Sequence, residues 1–179
     1  NGVVIITTKS GKGLRKQLEY SSNLSISRMA KRYDLLDRDQ FLAGAAALGA
    51  DASTLDEGAN TDWQKEVSRT AFSHRHDLSY GSNYKYGTYR ASIGYDNQQG
   101  VIRNSGMKRI TGRLNTTNNL LKDKLTFGTQ MIFSRVNDQA ALVTDNAGFE
   151  GSLLGATYMA NPTWVADPEI QLSSSNANP

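Results

Sequence analysis

Apolar and polar residues alternate along five stretches of this chain, and a period of two is the mark of a strand with two unlike faces. In the first, Leu18, Tyr20, Ser22, Leu24 and Ile26 share one face, opposite Glu19, Ser21, Asn23, Ser25 and Ser27. In the second, His76, Leu78 and Tyr80 oppose Arg75, Asp77 and Ser79. Tyr89, Ala91, Ile93 and Tyr95 oppose Thr88, Arg90, Ser92, Gly94 and Asp96 in the third. The fourth sets Ile110, Gly112 and Leu114 against Arg109, Thr111, Arg113 and Asn115. The fifth sets Leu125, Phe127, Thr129, Met131 and Phe133 against Thr126, Gly128, Gln130 and Ser134, with Ile132 as the exception. Charges stand mid-strand on the polar faces with only small residues between them. In a two-layer sandwich such a face is the solvent side. In a barrel with a hydrated lumen it is the inner wall, and the apolar face meets lipid. Several stretches run to about ten residues, beyond the ~5–6 usual in soluble sheets and within the ~9–11 that cross a bilayer.

The connections separate these readings better than the strands do. A tight turn over residues 81–87 joins the second and third strands, and another over residues 118–124 joins the fourth and fifth. The link from the first to the second runs from Arg28 to Ser73, far beyond hairpin length. Asn97 to Gly106 is intermediate, and no clear strand follows the fifth. Long and short connections therefore alternate, and in an up-and-down meander all long loops fall at one end. Outer-membrane barrels show that asymmetry. Tyr80, Tyr84 and Tyr86 lie at a short-turn end, where an interfacial aromatic girdle belongs.

Helices are expected inside the long loops. Asp37 with Gln40 three residues on has the form of a capping box, Phe41, Ala45 and Leu48 recur at helical spacing, and Gly49 can close the helix. Thr61-Asp62-Trp63-Gln64 opens a second short turn. Phe149, Leu153, Leu154 and Tyr158 form an apolar stripe stopped by Asn161-Pro162. At the other end, Val3, Val4, Ile5 and Ile6 read as a strand buried on both faces, so the chain reads as starting inside a domain. A basic, glycine-bearing linker follows (Gly11, Lys12, Gly13, Arg15, Lys16). The expected organisation is a closing strand over 1–10, a linker over 11–16, alternating strands with their loops over 17–137, and a long loop region over 138–179.

Composition narrows the chemistry. The 179 residues carry a formal charge of +3 with scattered Lys and Arg, which describes solvated strand faces rather than a nucleic-acid surface. With no cysteine there is no disulfide framework, thiolate metal site or thiol nucleophile. No apolar run approaches the ~20 residues of a membrane helix. His74 and His76 point the same way on a strand without a third ligand nearby. No Gly-x-Ser-x-Gly elbow accompanies the serines. Lys9-Ser10-Gly11-Lys12-Gly13 lacks the order of a phosphate loop. The acidic loop residues Asp51, Asp56, Glu57 and Asp62 lack calcium-loop spacing. No enzyme signature and no cofactor site emerge. Trp63 and Trp164, in long loops, are suited to stacking on sugars or to packing.

The stretch Asn1-Gly2-Val3-Val4-Ile5-Ile6-Thr7-Thr8-Lys9 resembles the end of the plug domain in SusC/RagA-type TonB-linked outer-membrane transporters of Bacteroidetes. Further matches follow in order: Asn60-Thr61-Asp62-Trp63-Gln64, Tyr89-Arg90-Ala91-Ser92-Ile93-Gly94-Tyr95, Gln98-Gln99-Gly100-Val101-Ile102 and Arg113-Leu114-Asn115. The resemblance implies a mainly β chain: antiparallel up-and-down strands of an incomplete transmembrane β-barrel, with short helices in long extracellular loops. Full members carry most of a plug, a TonB-contacting segment and about 22 strands. This chain would hold the plug's last strand and roughly the first five barrel strands. The implied activity is active uptake of glycan oligosaccharides or peptides across the bacterial outer membrane. A SusD-like surface lipoprotein would cap the extracellular side, TonB would supply energy through a segment outside this chain, and no covalent chemistry would occur. Position suggests Trp63, Tyr158 and Trp164 as loop contacts and Arg90, Arg109 and Arg113 as lumen-facing ones for substrate or partner. The competing reading is a soluble β-rich carbohydrate-binding or adhesion domain. That domain would bury Leu78, Ile93, Leu114, Phe127 and Phe133 against a second sheet, whereas a barrel leaves them facing lipid.

Overall fold

The structure is a computed structural model and describes residues 3–4, 16–141 and 152–166. Five strands form one antiparallel sheet in sequence order: β1 (Gln17–Ser27), β2 (Ala71–Tyr84), β3 (Gly87–Gln99), β4 (Gly106–Leu120) and β5 (Leu125–Gln139). Three short helices lie between β1 and β2, namely α1 (Arg38–Ala47), α2 (Ala52–Leu55) and α3 (Trp63–Glu66), and a fourth, α4 (Leu153–Met159), follows β5. Val3 and Val4 are exposed and belong to no strand, while Ile5, Ile6 and Phe149 lie outside the described residues. The chain divides into two compact units, described separately below.

The sheet unit comprises Asn1–Ser25, Phe72–Gln99 and Gly106–Asp138. Pairing follows the alternation residue for residue. Arg75 faces Asp96, which faces Arg109, and Ser79 faces Ser92, which faces Arg113. One step along, Leu78 faces Ile93 and then Gly112, and Tyr80 faces Ala91 and then Leu114. Because a slip of one residue would exchange the faces completely, this register keeps Arg75, Asp77, Arg90, Asp96, Arg109 and Arg113 on one side.

The strands outrun the alternation at their ends. The turn expected over 81–87 contracts to Lys85-Tyr86, because Gly81 to Tyr84 continue pairing with Gly87 to Arg90. The turn expected over 118–124 is likewise only residues 121–124, where Leu121, Lys122 and Asp123 have φ of 52°, 57° and 67°. Asn97 to Gln99 extend β3, so its link to β4 is residues 100–105. Gly87 is required where it stands: a Cβ there would lie 1.9 Å from the Thr117 carbonyl oxygen.

The apolar face has no covering layer. Leu78, Ile93, Leu114, Phe127 and Phe133 are 42, 56, 37, 57 and 62% exposed, and the described residues contain one sheet. The sandwich arrangement that would bury them is absent among those residues.

The loop unit comprises Ile26–Ala71, Gly100–Ser105 and Gln139–Pro179. Asp37 caps α1 as expected, its carboxylate accepting from the Gln40 N–H (2.9 Å) while Gln40 Oε1 accepts from the Asp37 N–H (3.1 Å). Gly49 follows with φ 82°, a left-handed conformation that suits glycine. Asp51, Asp62 and Ser152 cap the other three helices through a side-chain oxygen that accepts a backbone N–H, without the reciprocal bond, and α2 has no counterpart in the sequence expectation. Trp63, Val67 and Ala71 form the buried apolar core, joined by buried Thr157 and Thr163.

Candidate functional site

The polar face of the sheet carries its own ionic network. Glu19 on β1, Ser79 on β2 and Arg90 on β3 converge: Arg90 Nη2 donates to Glu19 Oε2 at 2.7 Å and to Ser79 Oγ at 2.8 Å. The Arg90 side chain is only 11% exposed, so it is a cation held down on the wall by its carboxylate. Arg109 Nη2 donates to the buried Asp96 at 2.9 Å, and Arg75 grips both oxygens of Asp77 at 2.7 and 3.3 Å. Gly94 leaves room for that carboxylate, since a Cβ there would stand 2.7 Å from Asp77 Oδ1. Two depressions lie on this face, of about 270 Å³ around Arg75, Asp96, Arg109 and Ser134 and about 750 Å³ around Glu19, Arg90, Arg113, Asn115 and Gln130. Such a surface can hold water and polar solutes by hydrogen bonds. Ser79 Oγ also donates to Glu19 Oε2 at 3.3 Å, and no group of three metal-ligating side chains occurs among the described residues.

The opposite face is apolar and aromatic. Tyr80, Tyr84 and Tyr89 meet near the short turn, with ring centroids 5.9 and 6.3 Å apart. Phe72, His74, His76 and Tyr95 cluster toward the other end of β2, and Tyr20 stacks on His76. Leu78 and Ile93 lie between the two clusters. The histidines thus belong to a ring cluster on the face away from the charges.

In the loop unit, each side chain of Asn60-Thr61-Asp62-Trp63-Gln64 is tied to a different piece of chain. Asn60 accepts from the Arg38 N–H, and Thr61 donates to the Trp164 carbonyl. Asp62 caps α3 and takes Arg32 Nη1 at 2.7 Å. Trp63, 5% exposed, donates its indole N–H to the Asn161 carbonyl at 3.0 Å. The Gln64 amide makes a pair of bonds with the backbone of Tyr33, donating at 2.8 Å and accepting at 2.9 Å. Elsewhere Arg38 holds both oxygens of Asp56, at 2.9 and 2.5 Å. That guanidinium, with help from the Gly58 N–H, lowers the Asp56 carboxyl below its ordinary value. Ser53 lowers Asp51 in the same direction. Arg69 clamps the 100–105 link by donating to the carbonyls of Gly100 (2.9 Å) and Ser105 (2.8 Å).

The six residues singled out in sequence fall into two sets. Arg90, Arg109 and Arg113 share the polar face of one sheet. Trp63, Tyr158 and Trp164 belong to the loop unit. Trp63 and Tyr158 line one groove of about 580 Å³ with Tyr33, Leu36 and Phe41, and Tyr158 meets Tyr33 edge-to-face at 5.1 Å. Trp164 is half-buried outside that lining. Missing from the sequence set are Glu19, which pairs with Arg90 across two strands, and Gln64 and Arg69, whose partners are backbone groups. A lone carboxylate on a polar strand face signals the first, and no sequence pattern signals the other two.

Strands of 11 to 15 residues, one charged face, one exposed apolar face flanked by rings, and short turns between β2 and β3 and between β4 and β5 define the wall of a transmembrane β-barrel. No family model matches the chain. It is 35% identical over 165 residues to the TonB-dependent receptor SusC of Bacteroides thetaiotaomicron, covering 91% of this chain and 16% of that receptor. It is 32% identical over 111 residues to the TonB-dependent receptor P3 of Formosa agariphila, covering 62% of this chain and 11% of the relative. The P26 receptor of the same organism is 30% identical over 156 residues, with 80% of this chain and 15% of the relative covered. The fold is also that of a chain in the RagAB peptide importer in its closed-closed state, with a TM-score of 0.64 and 21% identity over 78% of this chain and 20% of that one. The chain belongs with the SusC/RagA-type TonB-dependent receptors, and it spans between 11% and 16% of the length of the curated relatives it matches.

Proposed function

We propose that this chain is part of the barrel and extracellular loops of a TonB-dependent outer-membrane receptor that imports a large nutrient, an oligosaccharide or a peptide. The observation that carries the proposal is the pairing of an exposed apolar face with a charged face whose ions are matched across strands. Lipid accepts the first and a hydrated lumen the second. The backbones of β2, β3 and β4 are flanked by a strand on both sides, as a bilayer requires. On this reading residues 1–10 close the plug, 11–16 link it to the barrel, 17–137 supply the first barrel strands with their loops, and 138–179 form an extracellular loop region. Further strands pair with the edges of β1 and β5. A SusD-like lipoprotein covers the loop side and TonB drives transport from the periplasm. Arg90, Arg109 and Arg113 face the lumen, while the groove beside Trp63 and Tyr158, with Trp164 nearby, meets cargo or lipoprotein. The cargo is moved without bond making or breaking, so the chain has no enzymatic role.

Fractionating cells that express the complete gene product tests the location. The product is expected in the outer membrane and to leave it only with detergent. Recovery in a detergent-free soluble fraction defeats the proposal. Co-expression with the neighbouring lipoprotein gene, followed by uptake of a glycan and peptide panel, then identifies the cargo.

A further inference from the structure

The loop unit is closed by two seams that meet at α3. In the first, residues 161–164, which come after β5 in the chain, are bonded to the connection between β1 and β2. The N–H groups of Ala59 and Thr61 donate to the carbonyls of Thr163 (3.0 Å) and Pro162 (2.8 Å). Asn161 Nδ2 and Thr163 Oγ1 both donate to the Leu55 carbonyl, at 3.0 and 2.7 Å, and the same Thr163 hydroxyl accepts from the Glu57 N–H at 3.1 Å. Thr163 is fully buried, so water does not stand in for its hydroxyl. In the second seam, the link between β3 and β4 is bonded to the chain just after α3. The Arg69 N–H donates to the Val101 carbonyl and the Arg103 N–H to that of Val67, both at 2.8 Å, with Ser68 and Ile102 bridged between them. Trp63 belongs to both seams: its indole donates to the Asn161 carbonyl, and its own carbonyl accepts from the Val67 N–H at 3.1 Å.

We infer that residues 161–164 are a latch that makes three segments distant in sequence, the β1–β2 connection, the β3–β4 link and the chain after β5, open and close as one cooperative unit. Releasing the latch strands the Leu55 carbonyl and withdraws the Asn161 carbonyl from Trp63. Once the indole loosens, the buried Val67 is uncovered, and with it the anchor of the β3–β4 link. Buried contacts rather than continuity of sequence set the bounds of such units. Coupling of this kind is reciprocal, so loosening Arg69 at the far seam also loosens the latch. A partner that engages any one of the segments therefore orders or displaces all three. The latch is independent of the uptake reading, because it concerns bonds within the loop unit alone.

Hydrogen exchange on the complete receptor, without cargo, reads this coupling directly. Thr163→Val keeps the shape of the side chain and removes its hydroxyl. It is expected to lower the protection of the Ala59 and Thr61 amides about 5- to 100-fold, the loss of a buried hydrogen-bonding group. The amides of Arg69 and Arg103 should lose protection by the same factor, while those at the centres of β3 and β4 are unchanged. From the other end, Arg69→Met removes the two bonds from the guanidinium to the Gly100 and Ser105 carbonyls. It is expected to lower the protection of Ala59 and Thr61 together with that of Arg103. Loss confined to Ala59 and Thr61 in Thr163→Val, or to Arg103 in Arg69→Met, overturns the latch and shows segments that open independently. Unchanged protection in both variants overturns it as well. So does a loss that runs equally into β3 and β4, since the loop unit is then not a body of its own.

Discussion

The sheet unit and the loop unit are stabilised in opposite ways. In the loop unit a small interior is completed by the chain itself: Trp63, Val67 and Ala71 are buried, and the side chains of residues 60–64 are committed to caps, carbonyls and amides. In the sheet unit nothing comparable exists. Its order comes from the ladder and from ion pairs on one face, while its large apolar side chains are covered by no other part of the described chain. One region brings its own core, and the other depends on the medium around it. Substitutions should therefore be felt through packing in the first and through the lipid environment in the second.

Four experiments on the complete receptor sharpen or break this contrast. Trp63→Ala has the largest expected effect. It empties the interior of the loop unit and strands the Asn161 carbonyl, at a cost of about 3–5 kcal/mol. Hydrogen exchange should show the amides of Thr61 and Val67 losing about two to three orders of magnitude of protection while those of β3 and β4 are unchanged. Ile93→Arg is next, placing a charge at the centre of the apolar face. At a bilayer midplane this costs about 2–4 kcal/mol, read from denaturant unfolding out of lipid vesicles. A change within about 0.5 kcal/mol, as for an ordinary water-exposed site, would break the comparison. Asp37→Ala removes the carboxylate's half of the capping box, the bond from the Gln40 N–H, and should cost about 0.5–2 kcal/mol, confined to the exchange of α1 amides.

The smallest effect is one of pH. The folded-state carboxyl of Asp56 is depressed by Arg38, so its contribution is complete above the ordinary value of 3.8 and disappears as pH falls through the lower folded value. Asp56→Asn should therefore make the loop unit less stable at neutral pH, and the gap from wild type should close only in acid below that value. A gap that persists unchanged to the lowest pH would show that the Arg38–Asp56 ion pair is not its origin.

The sheet was legible in sequence because each strand has two chemically distinct faces, and the register preserves them. The strand ends were not. Gly81, Ser82 and Asn83 favour turns by composition, yet they pair with Arg90, Tyr89 and Thr88, because ladder bonds outweigh local preference. The capping box at Asp37 was readable because both partners lie within four residues. The bond from Arg90 to Glu19 spans 71 residues, and that from Trp63 to the Asn161 carbonyl spans 98. Such partners are set by topology rather than by local pattern. Trp63 shows the limit most clearly: an aromatic in a long polar loop suits a ligand platform and a packing anchor equally, and only the fold reveals how little of it is exposed.

The order of the sheet, β1 through β5 with β1 and β5 at its edges, has a practical consequence. Among the described residues each edge strand, of 11 and 15 residues, has a neighbour on one side only, and the face beside it is rich in leucine, isoleucine, tyrosine and phenylalanine. In water such edges recruit one another. This stretch expressed alone should accumulate as strand-paired aggregates, and a sixth strand, detergent or a chaperone that caps strand edges should be what keeps it in solution.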